Sequence, residues 1–193
     1  RKARPTRFRE VPDADGHIFQ NYRTENHFPS AIGSTGWFTH GRRFVEWAER
    51  TGYEFDYAVS SDLETDPTAL DGYGSIVLVG HDEYWSASMR DSVEGWIERG
   101  GGAAFFSGNT AFWQVRFEGE GTQVVGYKND FELDPVMGTA SETSVSTMWS
   151  DPLCERPESE MTGVSFTRGG YAHCRNAPYG SGGYSIWRPA HWA

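Results

Sequence analysis

Apolar and polar positions along the middle of the chain alternate between helical and extended periods. His40 to Thr51 carries Phe44, Val45 and Ala48 as an apolar stripe and runs into Gly52, which predicts a helix and its stop. Tyr53 to Val59 alternates and predicts a strand; Asp62-Leu63-Glu64-Thr65-Asp66-Pro67 predicts a turn or a short helical start. Ser75-Ile76-Val77-Leu78-Val79 is a continuous apolar run, the pattern of a strand buried on both faces. Met89, Val93, Trp96 and Ile97 then recur on one helical face. Gly100-Gly101-Gly102 leads into a second apolar strand, Ala103-Ala104-Phe105-Phe106. A turn at Ser107-Gly108-Asn109-Thr110 precedes an expected helical start at Ala111-Phe112-Trp113-Gln114.

Strand, turn and helix in repeated order argue for an α/β fold with a mostly parallel sheet and helices on both faces. Residues 40–118 form this expected core. Near Glu118 the character changes. Residues 119–193 are rich in Gly, Ser, Thr and Pro, with short apolar runs at Val124-Val125, Val145 to Trp149 and Val164 to Phe166, and predict an irregular β and loop-rich extension. Residues 1–38 are polar and irregular, with Pro5, Pro12 and Pro29. We read 1–193 as one domain. A chain starting at Arg1 and ending on Trp187-Arg188-Pro189-Ala190-His191-Trp192-Ala193 is expected to be a piece of a larger one.

Composition narrows the function classes. A length of 193 residues is enough for one sizeable core. The formal net charge of −10 repels phosphate backbones, so nucleic-acid binding is not expected. No apolar run approaches a membrane span, and no secretory signal is visible; a cytoplasmic protein is expected. Cys154 and Cys174 lack paired zinc spacing; they suit either a bridge in an oxidising compartment or two small buried residues.

The chemistry gathers at the first strand-to-helix turn. Gly80-His81-Asp82-Glu83-Tyr84-Trp85-Ser86 packs an imidazole, two carboxylates and a phenol into the mouth of a turn at the carboxyl end of a strand, where open α/β sheets bind ligands. Capping of the following helix by Asp82 and Ser86 is the plain structural reading of the same residues. In a parallel sheet the second turn should lie on the same edge and bring Asn109 near Glu83. A carboxylate beside a phenolate makes a hard oxygen site, suited to Fe(III), Mn or Mg. Ser107-Gly108-Asn109 stands where related folds hold a Ser or Cys nucleophile; Asn109 rules out acyl transfer from that elbow but can donate to a developing oxyanion.

Gly80 to Ser86, Met89-Arg90, Ala104-Phe105-Phe106-Ser107-Gly108-Asn109 and Trp113-Gln114-Val115-Arg116 resemble the large subunit of N,N-dimethylformamidase and its relatives. Trp47-Ala48-Glu49-Arg50, Gly52-Tyr53, Asp56-Tyr57, Asp62-Leu63, Tyr127-Lys128-Asn129 and Asp134-Pro135 extend the resemblance over roughly residues 20–190. It implies a glutamine amidotransferase-like fold without the cysteine nucleophile. It also implies hydrolysis of a small formamide-like amide at a mononuclear iron (Fe3+) held by one glutamate and two tyrosines. Glu83 matches the glutamate. Tyr22, in Ile18-Phe19-Gln20-Asn21-Tyr22, is the nearest equivalent of one tyrosine, with Asn21 in place of the family's proline. The other tyrosine falls in a segment this chain does not contain. His81, Asn109 and Lys128 match the catalytic residues beside the metal. A small partner subunit and a homo-oligomer are implied as well. The competing expectation is a catalytically inactive binding or scaffold module, carbohydrate-associated and using aromatics such as Trp187 and Trp192.

Overall fold

The computed structural model describes residues 40–166 and Ala190. Tyr22, Cys174, Trp187 and Trp192 lie outside the described residues. Helix α1 spans Arg42–Arg50, α2 Ser60–Thr65, α3 Ala87–Glu98 and α4 Ser159–Thr162. Strands are β1 (Ser75–His81), β2 (Tyr84–Trp85), β3 (Gly102–Gly108), β4 (Trp113–Gln114), β5 (Arg116–Glu118) and β6 (Gln123–Val125). The fold is mixed α/β. Among the described residues its sheets are three two-stranded ladders: β1 parallel to β3, β2 parallel to β4, and β5 antiparallel to β6.

Both apolar runs read from the sequence form strands, and they pair in parallel with Ser75 opposite Gly102 and His81 opposite Gly108. Side chains alternate across such a ladder. Ile76 and Leu78 pack on the cluster of Leu63, Leu70, Met89, Val93 and Trp96 from α2, the turn after it and α3. Phe106, on the opposite face, meets Phe44 of α1 with ring centroids 6.0 Å apart. Ser86 caps α3, its Oγ accepting the Met89 N–H at 3.1 Å. Gly52 stops α1 at φ +92°, the left-handed value that glycine adopts without strain.

Two expectations are corrected. Tyr53 to Val59 is not a strand: it is irregular and mostly exposed, and no described strand lies beside it to supply ladder hydrogen bonds. Ala111-Phe112-Trp113-Gln114 does not start a helix. Asn109 and Ala111 take φ of +55° and +51°, values no right-handed helix contains, and Trp113-Gln114 continues as β4. The expected extended parallel sheet is therefore present only as short parallel ladders among the described residues. Among the described residues after Glu118 the structure is the hairpin partner β6, turns, 3-10 segments at Lys128–Leu133 and Glu142–Ser144, and the one-turn helix α4. No described helix is long and apolar enough to cross a membrane.

The link from α3 to β3 is sterically exact. A Cβ on Gly101 would lie 2.3 Å from the Trp96 ring. Gly101→Ala is expected to cost about 1–3 kcal/mol through overpacking, read as a lowered urea midpoint at unchanged slope. An unchanged midpoint would show that the Trp96 ring moves aside without penalty.

Candidate active site at the break in the parallel ladder

The ladder formed by β1 and β3 resumes as β2 and β4, and the chemistry sits at the junction. Two residues, Asp82 and Glu83, cross the gap on one side; four, 109–112, cross it on the other. Backbone bonds carry the pairing through: Asp82 N–H to Gly108 O at 3.2 Å, Ala111 N–H to Asp82 O at 2.9 Å and Trp113 N–H to Glu83 O at 2.9 Å. The two extra residues are taken up as a bulge, a device that re-aims side chains beside sites. Asn109, in the left-handed conformation at the mouth of this bulge, thus lies on the same sheet edge as Glu83, as the sequence reading requires.

Glu83 is mostly buried, its side chain 15% exposed. Its Oε1 accepts the Trp113 indole N–H at 2.9 Å, and its Oε2 faces His81 Nδ1 at 3.8 Å. The His81 ring is half exposed. Lys128 donates to the Tyr84 phenol oxygen. Its ammonium also lies over two ring faces, 4.6 Å from the centroid of Tyr84 and 5.5 Å from that of Trp113. Trp113 therefore touches the carboxylate with its edge and the ammonium with its face. Burial pushes the Asp82 carboxyl up to about 6, while Trp85 pulls the other way.

Lys128 is held by more than its side chain. Its φ of +57° is a strained value for lysine, costing about 1–2 kcal/mol. Ser146 compensates: its carbonyl accepts the Lys128 N–H at 2.8 Å and its Oγ accepts the Tyr127 N–H at 2.9 Å. Asp134 anchors Ser146, its Oδ2 accepting both the Ser146 N–H and O–H at 2.9 Å. Arg116 grips the same carboxylate through both terminal nitrogens, at 2.7 and 2.8 Å. Gln114 adds bonds from Nε2 to the carbonyls of Thr143 and Val145, each 2.8 Å. Residues 113–116 thus support both ends of the site.

The sequence reading named His81, Glu83, Asn109 and Lys128, and all four fall at or beside this junction. It missed Trp113, Arg116, Asp134 and Ser146 as supports. Trp113, Arg116 and Asp134 stood inside the quoted motifs, but Trp113 read as a helix start, which hid its alignment with Tyr84. Tyr84 was counted as the phenol of the turn without a partner. Cys154 is free and buried, and burial first, then Asp151, pushes its thiol up to about 12, which disfavours the thiolate.

The donors present suit one corner of a hard-cation site. One oxygen of Glu83 is fixed by an outer N–H, and the other, which faces His81 at 3.8 Å, is the one a metal would take. Among the described residues no group of three or more His, Cys, Asp or Glu is gathered for a metal.

A broken parallel ladder with a carboxylate, an imidazole, an asparagine and a lysine at or beside its edge makes this an α/β domain with a candidate polar site at strand ends. The chain belongs to the N,N-dimethylformamidase beta subunit-like, C-terminal family, whose model matches residues 6–193. A search of curated proteins found none that matches it.

Proposed function

We propose that this domain is an iron-dependent amide hydrolase acting on a small, formamide-like C–N bond, built on a glutamine amidotransferase-like fold without that fold's cysteine. The observation that carries the reading is the placing of Glu83 and Lys128 on the edge and face of one indole, on the sheet edge that also bears Asn109. Family membership supports it. Glu83 and Tyr22 would hold the metal, and bound Fe3+ would supply Lewis-acid polarisation of the amide carbonyl.

The chain's own groups then have separate tasks. The Asn109 side-chain N–H donates to the carbonyl oxygen as it gains charge, a contribution of roughly 3–4 kcal/mol for one preorganised donor. His81, half exposed beside Glu83, takes the proton of the attacking water at a ring nitrogen and returns it to the departing amine nitrogen. The C–N bond breaks, the amine leaves with a proton, and the carboxylate product is drawn to the Lys128 ammonium. A beta-subunit-like family supports a small partner subunit beside this chain.

The test is amine release from N,N-dimethylformamide by the iron-loaded full-length protein. Asn109→Gly is the informative variant, because glycine keeps the left-handed backbone and removes only the amide. We expect it to lower kcat about 10²–10³-fold. A wild-type rate in Asn109→Gly would remove the oxyanion role. No amine from the wild-type protein would contradict the hydrolase reading for this amide.

A further inference from the structure

We propose that Trp113 is the positioning residue of the site: its indole N–H fixes which oxygen of Glu83 is open to a ligand, while its ring face fixes the Lys128 ammonium. This rests on the hydrolase reading and deepens it. Trp113 is buried, 8% exposed, and doubly bound to Glu83, through its backbone N–H to the Glu83 carbonyl and its indole N–H to Oε1, both 2.9 Å. A carboxylate with one oxygen so engaged presents the other in one orientation, the arrangement by which outer partners tune metal ligands. Across the ring, Lys128 is shared between the Trp113 and Tyr84 faces, and these two residues are direct partners in the β2–β4 ladder. Phe112 braces the indole edge-on, with centroids 4.9 Å apart and planes at 78°. The indole cannot tilt without disturbing both charges. The bulge makes this possible. Without its two extra residues, Trp113 would not stand opposite Tyr84.

The Trp113 bond to Glu83 and the Tyr84 bond to Lys128 can be cut separately. Trp113→Phe keeps an aromatic face for Lys128 and deletes the donor to Glu83. Tyr84→Phe removes the phenol oxygen from Lys128 and leaves Glu83 untouched. In the full-length protein, Fe3+ affinity measured by chelator competition is expected to fall about 10–100-fold in Trp113→Phe and to stay at the wild-type value in Tyr84→Phe. Amine release from N,N-dimethylformamide should fall in both, through kcat in Tyr84→Phe. A merely structural ring would move both affinities together with the unfolding midpoint. Should Trp113→Phe fold poorly, β-(3-benzothienyl)alanine at position 113 keeps the bicyclic shape and replaces only the N–H by sulfur; the same loss of affinity is expected. Wild-type Fe3+ affinity in either Trp113 variant overturns the inference. If Glu83→Gln also keeps wild-type affinity, the metal reading fails with it; if Glu83→Gln loses the metal, the positioning role alone is wrong.

Discussion

Asp134→Ala is expected to destabilise the domain by about 3–5 kcal/mol, the usual cost of removing one partner from a buried ion pair. The Asp134 side chain is fully buried and accepts from Arg116 twice and from Ser146 twice. Its removal leaves the Arg116 guanidinium, only 17% exposed, with the Ser144 carbonyl at 2.8 Å and the half-exposed Glu118 carboxylate at 3.5 Å, and frees the turn that holds Tyr127 and Lys128. Burial by itself would raise the Asp134 carboxyl, but the bonds from Arg116 and Ser146 outweigh it and hold it down at about 2, below the ordinary 3.8. A folded-state value below the unfolded one means the contribution is present above about pH 4 and is lost as pH falls towards 2. Urea unfolding of the two proteins at pH 7 and at pH 2–3 checks this. The gap between them should shrink on acidification. A gap under about 1 kcal/mol at pH 7 would show that the network contributes only what a surface pair does.

The second large effect is on activity. Glu83→Gln keeps the size of the side chain and can still accept the Trp113 N–H, so the fold should persist, with unchanged circular dichroism and a thermal midpoint within a few degrees. It loses the anionic oxygen that faces His81. Amine release from N,N-dimethylformamide is expected to fall by a factor on the order of 10²–10³ or more, equivalent to several kcal/mol of lost charge stabilisation. A variant that turns over at the wild-type rate would take Glu83 out of the reaction. Together with Asp134→Ala it separates two roles: one residue carries chemistry without stability, the other stability that reaches the chemistry through Ser146.

The parallel pair β1 and β3 was legible because each strand is a short apolar run bounded by glycines, and α3 because Met89, Val93 and Trp96 recur at helical spacing. The junction was not. Ala111 to Gln114 reads as a helix start in isolation, and only the pairing of Trp113 with Tyr84, 29 positions earlier, makes it a strand. Local propensity cannot register such a contact. Tyr53 to Val59 failed for the converse reason: its alternation is real, but no described neighbour pairs with it. That Glu83, His81, Asn109 and Lys128 would be the groups to examine was legible from their motifs, and the structure puts them at or beside one junction. Their supports were not legible, because Ser146 and Asp134 act through backbone groups and a buried carboxylate, which look ordinary in a loop-rich sequence. Tyr22, the second residue expected at the metal, lies outside the described residues, so the site is defined here from the Glu83 side.

The most direct test of the account is the iron content of the full-length protein and of its Glu83→Gln variant, loaded with Fe3+ under identical conditions, desalted and measured by atomic emission. About one iron per chain is expected in the wild-type protein and a large loss in the variant, at equal folded content, since a hard cation depends on the anionic oxygen. Equal iron in the two proteins would contradict it.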